Sequence, residues 1–305
     1  MPDDRFAYGG QAVIEGVMIR GRKGYALACR LADGSIAVEK HPWEPLSTRN
    51  WFVGLPIIRG TPALIEALVI GYRSLMSSAD HAAKSEGIKP PSTFQYVLSI
   101  AFALAVVIVG FVLAPSALVH RVHGGWFTNN LIEGGIRALF FVIFIRLAAM
   151  MPDMRRVFRY HGAEHKVINA YEATGEYRGE AVNSYGTLHQ RCGTSFIFTV
   201  LVVGILVHFL VGWPSFWWRL GSRLVLLPLV AGLSYEVIRA AGKHKDSRVL
   251  GIMVAPGMWL QKITTQPPTP DMIEVAVAAL EGALELDGVR GEEAKRREGE
   301  EADTV

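Results

Sequence analysis

The stretch RYHGAEHKVINAYE, residues 159–172, contains the side chains best suited to chemistry in this sequence. Its two histidines, His161 and His165, are four positions apart, and Glu164 directly precedes the second. In a helix, residues four apart share one face, so both imidazoles could bind one Zn²⁺ or a similar divalent ion. Glu164, three positions after His161, is close enough to act as a general base toward water activated by that ion. The order His-x-x-Glu-His is an inverted zincin motif and predicts metal-assisted hydrolysis.

A second polar stretch, LHQRCGTS at residues 188–195, predicts the remaining ligands. His189 or Cys192 could complete the metal shell, because the HxxC spacing can bring both side chains to one ion. Glu172 is an oxygen-donor alternative. We expect a divalent metal, with Zn²⁺ favoured by this mixture of nitrogen and sulfur ligands. The predicted metal ligands are three histidines and one cysteine, His161, His165, His189 and Cys192, with Glu164 as the catalytic residue.

Two other interpretations of these stretches remain open. A polar helix could lie along a membrane surface with its histidines in water, in which case no ion is bound. Cys192 could instead be a nucleophile activated by His189, although nothing in the neighbouring sequence indicates an activated thiol.

Four apolar segments surround these stretches and approach the roughly 20 residues that a membrane-spanning helix needs. The segments are residues 93–119, 131–151, 195–213 and 220–241. Hydrophobic residues make up 50% of the chain and charged residues only 19%, which is below the level of about 25% that is typical of soluble domains. The sequence therefore predicts a mainly α polytopic membrane protein with about four transmembrane helices.

The charged and polar residues inside these segments carry three further expectations. Arg146 needs a partner if it lies deep in the membrane, whereas charges near helix ends can reach the interface. Glu236 and Arg239 could pair with each other. His208 is expected to donate a hydrogen bond between helices.

The distribution of basic residues predicts the orientation of the chain. Lys and Arg number 11 in residues 1–92, 6 in residues 152–194 and 8 after residue 240, while the two remaining loops carry few. Because cytoplasmic loops carry the Lys and Arg excess, all three basic regions are expected in the cytosol. This predicts a multi-pass membrane protein with both termini in the cytosol.

The segments divide the chain into four predicted parts. Residues 1–92 form a small cytosolic α+β head, in which a β-meander with a turn at Asp33–Gly34 precedes a helix at 62–79 that is interfacial, re-entrant or buried under the strands. Residues 93–241 form the four-helix bundle and include the cytosolic loop 152–194. Residues 242–287 comprise a Pro-rich connector and an amphipathic helix at 270–286. The charged tail, 288–305, is expected to be disordered.

Several classes of function have little support in the sequence. The net charge is only +3, so direct nucleic-acid binding is not predicted. The glycine-rich stretch GGQAVIEGVMIRG lacks the spacing of a phosphate-binding loop, and its glycines are expected to allow turns or close backbone contacts. The two cysteines, Cys29 and Cys192, are too few for a disulfide framework and are expected to be reduced thiols.

Four stretches in order, GGQAVIEGVMIRG, YHGAEHKVINAYE, LHQRCGTSF and PGMWLQKITTQPP, resemble the YqhQ-like bacterial membrane proteins. The resemblance runs from about residue 8 to residue 286. It implies one recurrent architecture, a cytosolic head joined to a small bundle, in the bacterial cytoplasmic (inner) membrane. This is a family of unknown function described as predicted metal-dependent enzymes, and that description depends on the same histidines, glutamate and cysteine.

Two functions from different classes follow from these expectations. The first is metal-dependent hydrolysis of an amphiphilic or membrane substrate at the cytosolic face. The second is a non-catalytic scaffold for membrane-protein insertion or assembly, with the translocon or a ribosome as partner and the metal as a structural clasp. Besides the lipid bilayer and this insertion machinery, no partner and no oligomeric state is predicted.

Overall fold

The computed structural model describes residues 6–85, 87, 92–120, 124–211, 215–244 and 247–289. The described chain is mainly helical with one small sheet. Its strands are β1 (Gly9–Val13), β2 (Gly16–Arg20), β3 (Gly24–Arg30) and β4 (Ile36–Pro42). Its helices are α1 (Leu46–Arg49), α2 (Gly60–Ser85), α3 (Thr93–Val107), α4 (Ala114–His120), α5 (Trp126–Ala148), α6 (Pro152–Thr174), α7 (Glu180–Asn183), α8 (Gly193–Val211), α9 (Phe216–Lys243), α10 (Arg248–Thr264) and α11 (Pro270–Asp287). The predicted tail lies outside the described residues from residue 290 onward.

The four strands form an antiparallel meander in chain order, which confirms the predicted β-meander. Between β3 and β4 the chain turns at Asp33 and Gly34, the pair that predicted the turn. Gly34 has φ of +83°, a left-handed conformation that glycine adopts without a steric penalty.

Helices cover both faces of the sheet, because alternate side chains of β2 and β3 point in opposite directions. One face packs against α6 and α11 through Val17, Ile19, Ala26 and Ala28. The opposite face packs against Ile70 of α2 through Val13, Met18, Leu27 and Cys29. Ile65 and Leu68, elsewhere on α2, are exposed. Helix α2 therefore lies partly under the strands, which is one of the three positions that the sequence left open for it.

The segment 242–269 differs from its prediction as a Pro-rich connector. Residues Arg248–Thr264 form α10, which contains Pro256 and packs along α8. Burial of Val254 and Leu260 stabilises this helix despite the proline, a tertiary contribution that the local sequence does not reveal. The amphipathic helix predicted at 270–286 is confirmed as α11, and its apolar face packs against the sheet and α6.

Three helical stretches are long and apolar enough to cross a membrane, namely Phe94–Val119, Gly193–Val211 and Gly221–Lys243. The first runs through α3, a π-helical turn at Ile108–Leu113 and α4. Helices α5 and α6 meet the same criteria only as a pair bent by 100°, which raises the number to four among the described residues. The most apolar part of Phe94–Val119 has no buried residue, so its side chains face outward.

A buried ion-pair cluster joins α4, α5 and α9. Glu133 of α5 is 1% exposed and accepts hydrogen bonds from Ser116 at 2.7 Å and Arg137 at 3.0 Å, and Arg223 of α9 lies 2.5 Å from the same carboxylate oxygen. Arg137 also donates to the carbonyl of Phe111, inside the π-helical turn. The two arginines are therefore paired with an acid rather than only extended toward the interface, which removes most of the cost of their charge.

Two expectations for polar residues in the apolar segments were wrong. Glu236 of α9 accepts two hydrogen bonds from Arg59, at 2.7 and 2.6 Å, so its hydrogen-bonded partner is Arg59 rather than Arg239. Nδ1 of His208 donates to the Gly204 carbonyl within its own helix, not to another helix. The partner of Glu236 comes from a segment that is distant in sequence, whereas the partner of His208 lies in the preceding turn of its own helix.

Candidate metal centre

Helix α6 carries His161, Glu164 and His165, and its sequence fixes both of its ends. Pro152 occupies the first turn, where a missing N–H costs nothing, and Asp153 lies near the positive end of the helix dipole. Gly175 ends the helix with φ of +84° and donates its N–H to the Tyr171 carbonyl. The three site residues therefore lie in the interior of a regular helix.

The two histidines of α6 are oriented by backbone carbonyls. Nδ1 of His161 donates to the Thr264 carbonyl at 2.9 Å, and Nδ1 of His165 donates to the Thr187 carbonyl at 2.6 Å. Because each carbonyl can only accept, each neutral ring carries its proton on Nδ1 and presents a lone pair on Nε2. This is how metal-binding histidines are usually held by their second hydrogen bond.

Cys192 brings a sulfur to the same place from a different element. It immediately precedes α8, its carbonyl accepts from the N–H of Phe196, and its Sγ lies 3.3 Å from Nε2 of His161. The ligand atoms of His161, His165 and Cys192 all lie within 4.8 Å of one another. Ligands of one tetrahedral zinc ion are expected about 3.5 Å apart from bond lengths of about 2.1 and 2.3 Å. The donor set could therefore hold a metal ion, and atoms at the 4.8 Å limit would have to move closer together around zinc.

The three ligands differ in burial, and only His161 is partly exposed to solvent. His165 and Cys192 are buried, whereas His161 is only half-buried. Burial lowers the pKa of His165, and the neighbouring imidazoles of His161 and His189 act in the same direction, while Cys192 opposes them. A neutral imidazole is the form that binds a metal.

Glu164 lies beside this group but faces the sheet. Its carboxyl group is fully buried against Gly10 of β1, which donates its backbone N–H to it. Burial raises the pKa of Glu164 to about 7, although His161 and the Gly10 N–H act against that shift. Its Oε2 has no hydrogen-bond partner among the residues the structure describes.

The close approach of β1 to Glu164 explains one glycine of the GGQAVIEGVMIRG stretch. A Cβ on Gly10 would lie 3.0 Å from Oε1 of Glu164 and 2.3 Å from the Met18 carbonyl. Both distances are too short for a side chain, so the predicted role of these glycines in close backbone contact is confirmed at Gly10.

His189 and Glu172 lie next to the group of three but outside it. The His189 ring is 5.5 Å from the His165 ring between centroids, and its Nε2 is 3.6 Å from Oε2 of Glu172. The other carboxylate oxygen of Glu172 is paired with Arg191. Of the predicted ligands, His161, His165 and Cys192 are brought together, while His189 contacts Glu172.

The sequence interpretation missed the residues that hold these ligands. Gln261 of α10 is fully buried, accepts from the His189 N–H and donates to the His189 carbonyl, both at 2.8 Å, and donates to Ser195 at 2.6 Å. Thr264, three residues later, supplies the carbonyl for His161. Both lie in the PGMWLQKITTQPP stretch. Polar residues among apolar ones in that stretch were the signal that the sequence offered.

The second cysteine is distant from this chemistry. Cys29 and Cys192 are both free, as expected of reduced thiols. Burial of Cys29 between the sheet and α2 raises the pKa of its thiol to about 12, so it stays protonated at neutral pH.

Comparison with known proteins assigns the chain to a family. A family model described as "Protein of unknown function (DUF1385)" matches residues 55–286. The chain belongs to this family. A relative from Bacillus subtilis (strain 168), the "Uncharacterized protein YqhQ", is 36% identical over 299 residues, which cover 93% of this chain and 94% of the relative. No solved structure is significantly similar to the chain. The resemblance to YqhQ-like proteins is thereby confirmed.

Proposed function

We propose that this protein is a zinc-dependent hydrolase of the bacterial cytoplasmic membrane, with its metal centre on the cytosolic side. The observation that carries the proposal is the convergence of His161, His165 and Cys192, with both Nδ1 atoms engaged by backbone carbonyls. Three protein ligands with one accessible side are typical of catalytic zinc, whereas structural zinc has four.

The proposed membrane location is supported by the outward-facing apolar helices and by charge. Regions 1–92, 152–194 and the residues after 240 hold most of the lysines and arginines. Placing all three in the cytosol satisfies the positive-inside rule and puts α6, with its two histidines, at the cytosolic side. Trp217 and Trp218 at the start of α9 are exposed and suit the opposite interface, whereas Trp213 lies outside the described residues.

A bound zinc ion would supply a Lewis acid that activates water or polarises a carbonyl or phosphoryl group. The protein's own contribution is proton transfer and orientation. Burial raises the pKa of Glu164, and its Oε2, which has no hydrogen-bond partner among the described residues, is the atom that would accept a proton from water and return it to a leaving group. The Gly10 N–H holds the other side of the carboxyl group, and the Thr264 carbonyl holds His161 in place.

The proposed substrate is amphiphilic, with a hydrolysable polar group and an apolar part. Leu188, next to His189, and Ile197, in the first turns of α8, are exposed apolar side chains near the ligands. Trp259 of α10 is also exposed. A substrate with one end in the bilayer would contact these side chains while its polar group reaches the half-buried His161.

The first test of this function is metal content of the detergent-purified protein measured by mass spectrometry. Wild type is compared with single variants His161→Ala, His165→Ala and Cys192→Ala, and with Glu164→Gln. We expect near-stoichiometric zinc in wild type and in Glu164→Gln, and loss of most zinc in the ligand variants. Zinc absent from folded wild type would overturn the metal centre.

A second candidate function is a scaffold for membrane-protein insertion or assembly, with the translocon or a ribosome as the partner. It is favoured by one observation: the metal group joins α6 to the start of α8, so an ion there would clasp two elements. In that case metal removal should lower the thermal unfolding midpoint, and Glu164→Gln should leave cell growth and stability unchanged. Impaired growth of cells that carry Glu164→Gln, with zinc still bound to the protein, favours the hydrolase.

A further inference from the structure

A basic cleft lies at the bend where α5 meets α6, beside the end of α10. Its volume is about 280 Å³, and three cations line it: Arg146 from the end of α5, Arg155 from the start of α6 and Lys262 from α10. Gln266 adds an uncharged polar group, and Ala149 and Met150 form an apolar edge. The cleft therefore combines positive charge with an apolar border.

Among the described residues, the three cations differ from several arginines in lacking an acidic partner. Arg59 binds Glu236, Arg156 binds Glu15, and Arg223 binds Glu133. Within the described parts of the chain, by contrast, the side chains of Arg146, Arg155 and Lys262 form no ion pair or hydrogen bond, and no carboxylate lines the cleft. Three adjacent like charges repel one another, and an anion with several oxygens would relieve that repulsion.

The position of the cleft indicates where such an anion comes from. Arg146 lies in the last turn of α5, and the next two methionines, Met150 and Met151, are 66% and 56% exposed. Exposed methionines beside cations are suited to the boundary between lipid chains and headgroups. If the apolar helices span a membrane, the cleft would present its cations at the depth of phosphate groups and its apolar edge toward the bilayer.

The cleft also borders the segment that orients the metal centre. Lys262 is two residues before Thr264, whose carbonyl accepts from Nδ1 of His161. Gln266 donates its backbone N–H to the Phe158 carbonyl of α6 at 3.0 Å. An anion held by Lys262 and Arg155 would therefore bridge α10 and α6 next to the proposed centre.

We propose that this cleft is a binding site for a phosphate-bearing anionic group at the membrane surface. The proposal uses the membrane location of the proposed function but does not require hydrolysis or metal. Arg155 and Lys262 supply direct contacts from two helices, and Arg146 adds charge from the end of α5. The shared chemistry is a phosphate ester or phosphate with at least one negative charge.

Binding is tested with full-length protein in a neutral detergent. The probes are short-chain (dihexanoyl) phosphatidylglycerol, the zwitterionic dihexanoyl phosphatidylcholine, and inorganic phosphate. Apparent affinities are taken from the rise of the unfolding midpoint with probe concentration. The variant Arg155→Gln/Lys262→Gln is compared with Arg22→Gln/Lys23→Gln, which removes the same charge at the exposed turn between β2 and β3.

We expect wild type and the turn variant to bind the anionic lipid equally, and the cleft variant to bind it roughly thirtyfold more weakly. The zwitterionic lipid should bind weakly to all three proteins. If inorganic phosphate shows the same dependence on the cleft, a free phosphate rather than a headgroup is the ligand source, and the proposal stands. Equal weakening in both double variants, or no binding to wild type, would overturn it.

Because all three cations are exposed, the cleft variant should fold. Arg146→Gln provides a second, single-charge test, with an expected weakening of about fivefold. The measured lipid affinity does not depend on the zinc content of the protein. A protein that binds the anionic lipid but no zinc would leave this site intact while overturning the proposed hydrolase, and the reverse result would do the opposite.

Discussion

At the scale of single residues, the candidate site depends on polar groups that hold its ligands rather than on the ligands alone. The amide of Gln261 satisfies both the N–H and the carbonyl of His189 in a fully buried position. The same amide reaches Ser195, three residues after Cys192. Since buried backbone groups without partners are costly, Gln261 fixes the path of the chain between α6 and α8.

Replacing Gln261 with methionine should therefore destabilise the protein while keeping the side-chain volume. The His189 N–H and carbonyl would lose their partners, at a cost of about 3 kcal/mol for two buried polar groups. We expect a lower unfolding midpoint in denaturant and about tenfold weaker zinc retention against a chelator.

The matched control for that change is Gln190→Met. Gln190 adjoins His189, and its Oε1 forms no hydrogen bond among the described residues. Because methionine removes a buried acceptor that has no partner, this replacement should leave stability unchanged or raise it by up to about 1 kcal/mol. Equal effects at positions 190 and 261 would contradict a specific role for the Gln261 amide.

At the scale of elements, the site exists because α6 is held tightly against the segment after α10. Gly162, between His161 and Ala163, makes this contact possible: a Cβ there would lie 2.0 Å from the Gln266 carbonyl oxygen. That carbonyl belongs to the backbone and cannot move independently. The position of Thr264, and with it the orientation of His161, follows from this close approach.

We predict that Gly162→Ala separates α6 from this segment. The overlap should cost about 2 kcal/mol or more, and it should weaken zinc binding by displacing the Thr264 carbonyl from His161. Thermal unfolding and metal content measure both effects.

Gly135→Ala is the control for a helical glycine, because a Cβ on Gly135 of α5 would have no neighbour within 4 Å among the described residues. That change should be neutral or stabilising by up to about 1 kcal/mol, since alanine favours helices over glycine. A stable, metal-replete Gly162→Ala protein would refute the importance of the α6 contact.

At the scale of the whole molecule, α2 links the sheet to the apolar helix α9, and charged contacts lie at both ends of that link. Arg20 of β2 binds Glu66 of α2 at 2.6 Å, and Arg59 ahead of α2 binds Glu236 of α9. Helix α2 thus contacts both parts. If the apolar helices span a membrane, these pairs lie near the proposed cytosolic surface.

The proposed orientation predicts which positions are accessible from outside an intact cell. A cysteine introduced at Ser215, before α9, should react with a membrane-impermeant maleimide in intact cells. A cysteine introduced at Lys23, in the exposed turn between β2 and β3, should react only after the cells are opened. Wild type, whose two cysteines are buried, is the background control. Labelling of Lys23→Cys in intact cells would reverse or refute the predicted topology.

The sequence by itself determined the elements that depend on local pattern. The meander followed from short β-prone runs punctuated by glycines and from the Asp33–Gly34 turn, and α11 followed from its amphipathic pattern. The spacing of His161 and His165 determined that both share one face of α6, because helical geometry fixes the relation between positions i and i+4. The charge-free runs in α3 and α8 needed no tertiary information to be recognised as apolar helices.

Only the tertiary structure decided which distant residues meet. It selected Cys192, rather than His189, for the group with the two histidines, because the chain path before α8 is fixed by Gln261. It turned Glu164 toward Gly10 and paired Glu133 with arginines from two helices. Contacts of this kind depend on close packing between elements far apart in the chain, and local sequence carries no measure of those distances.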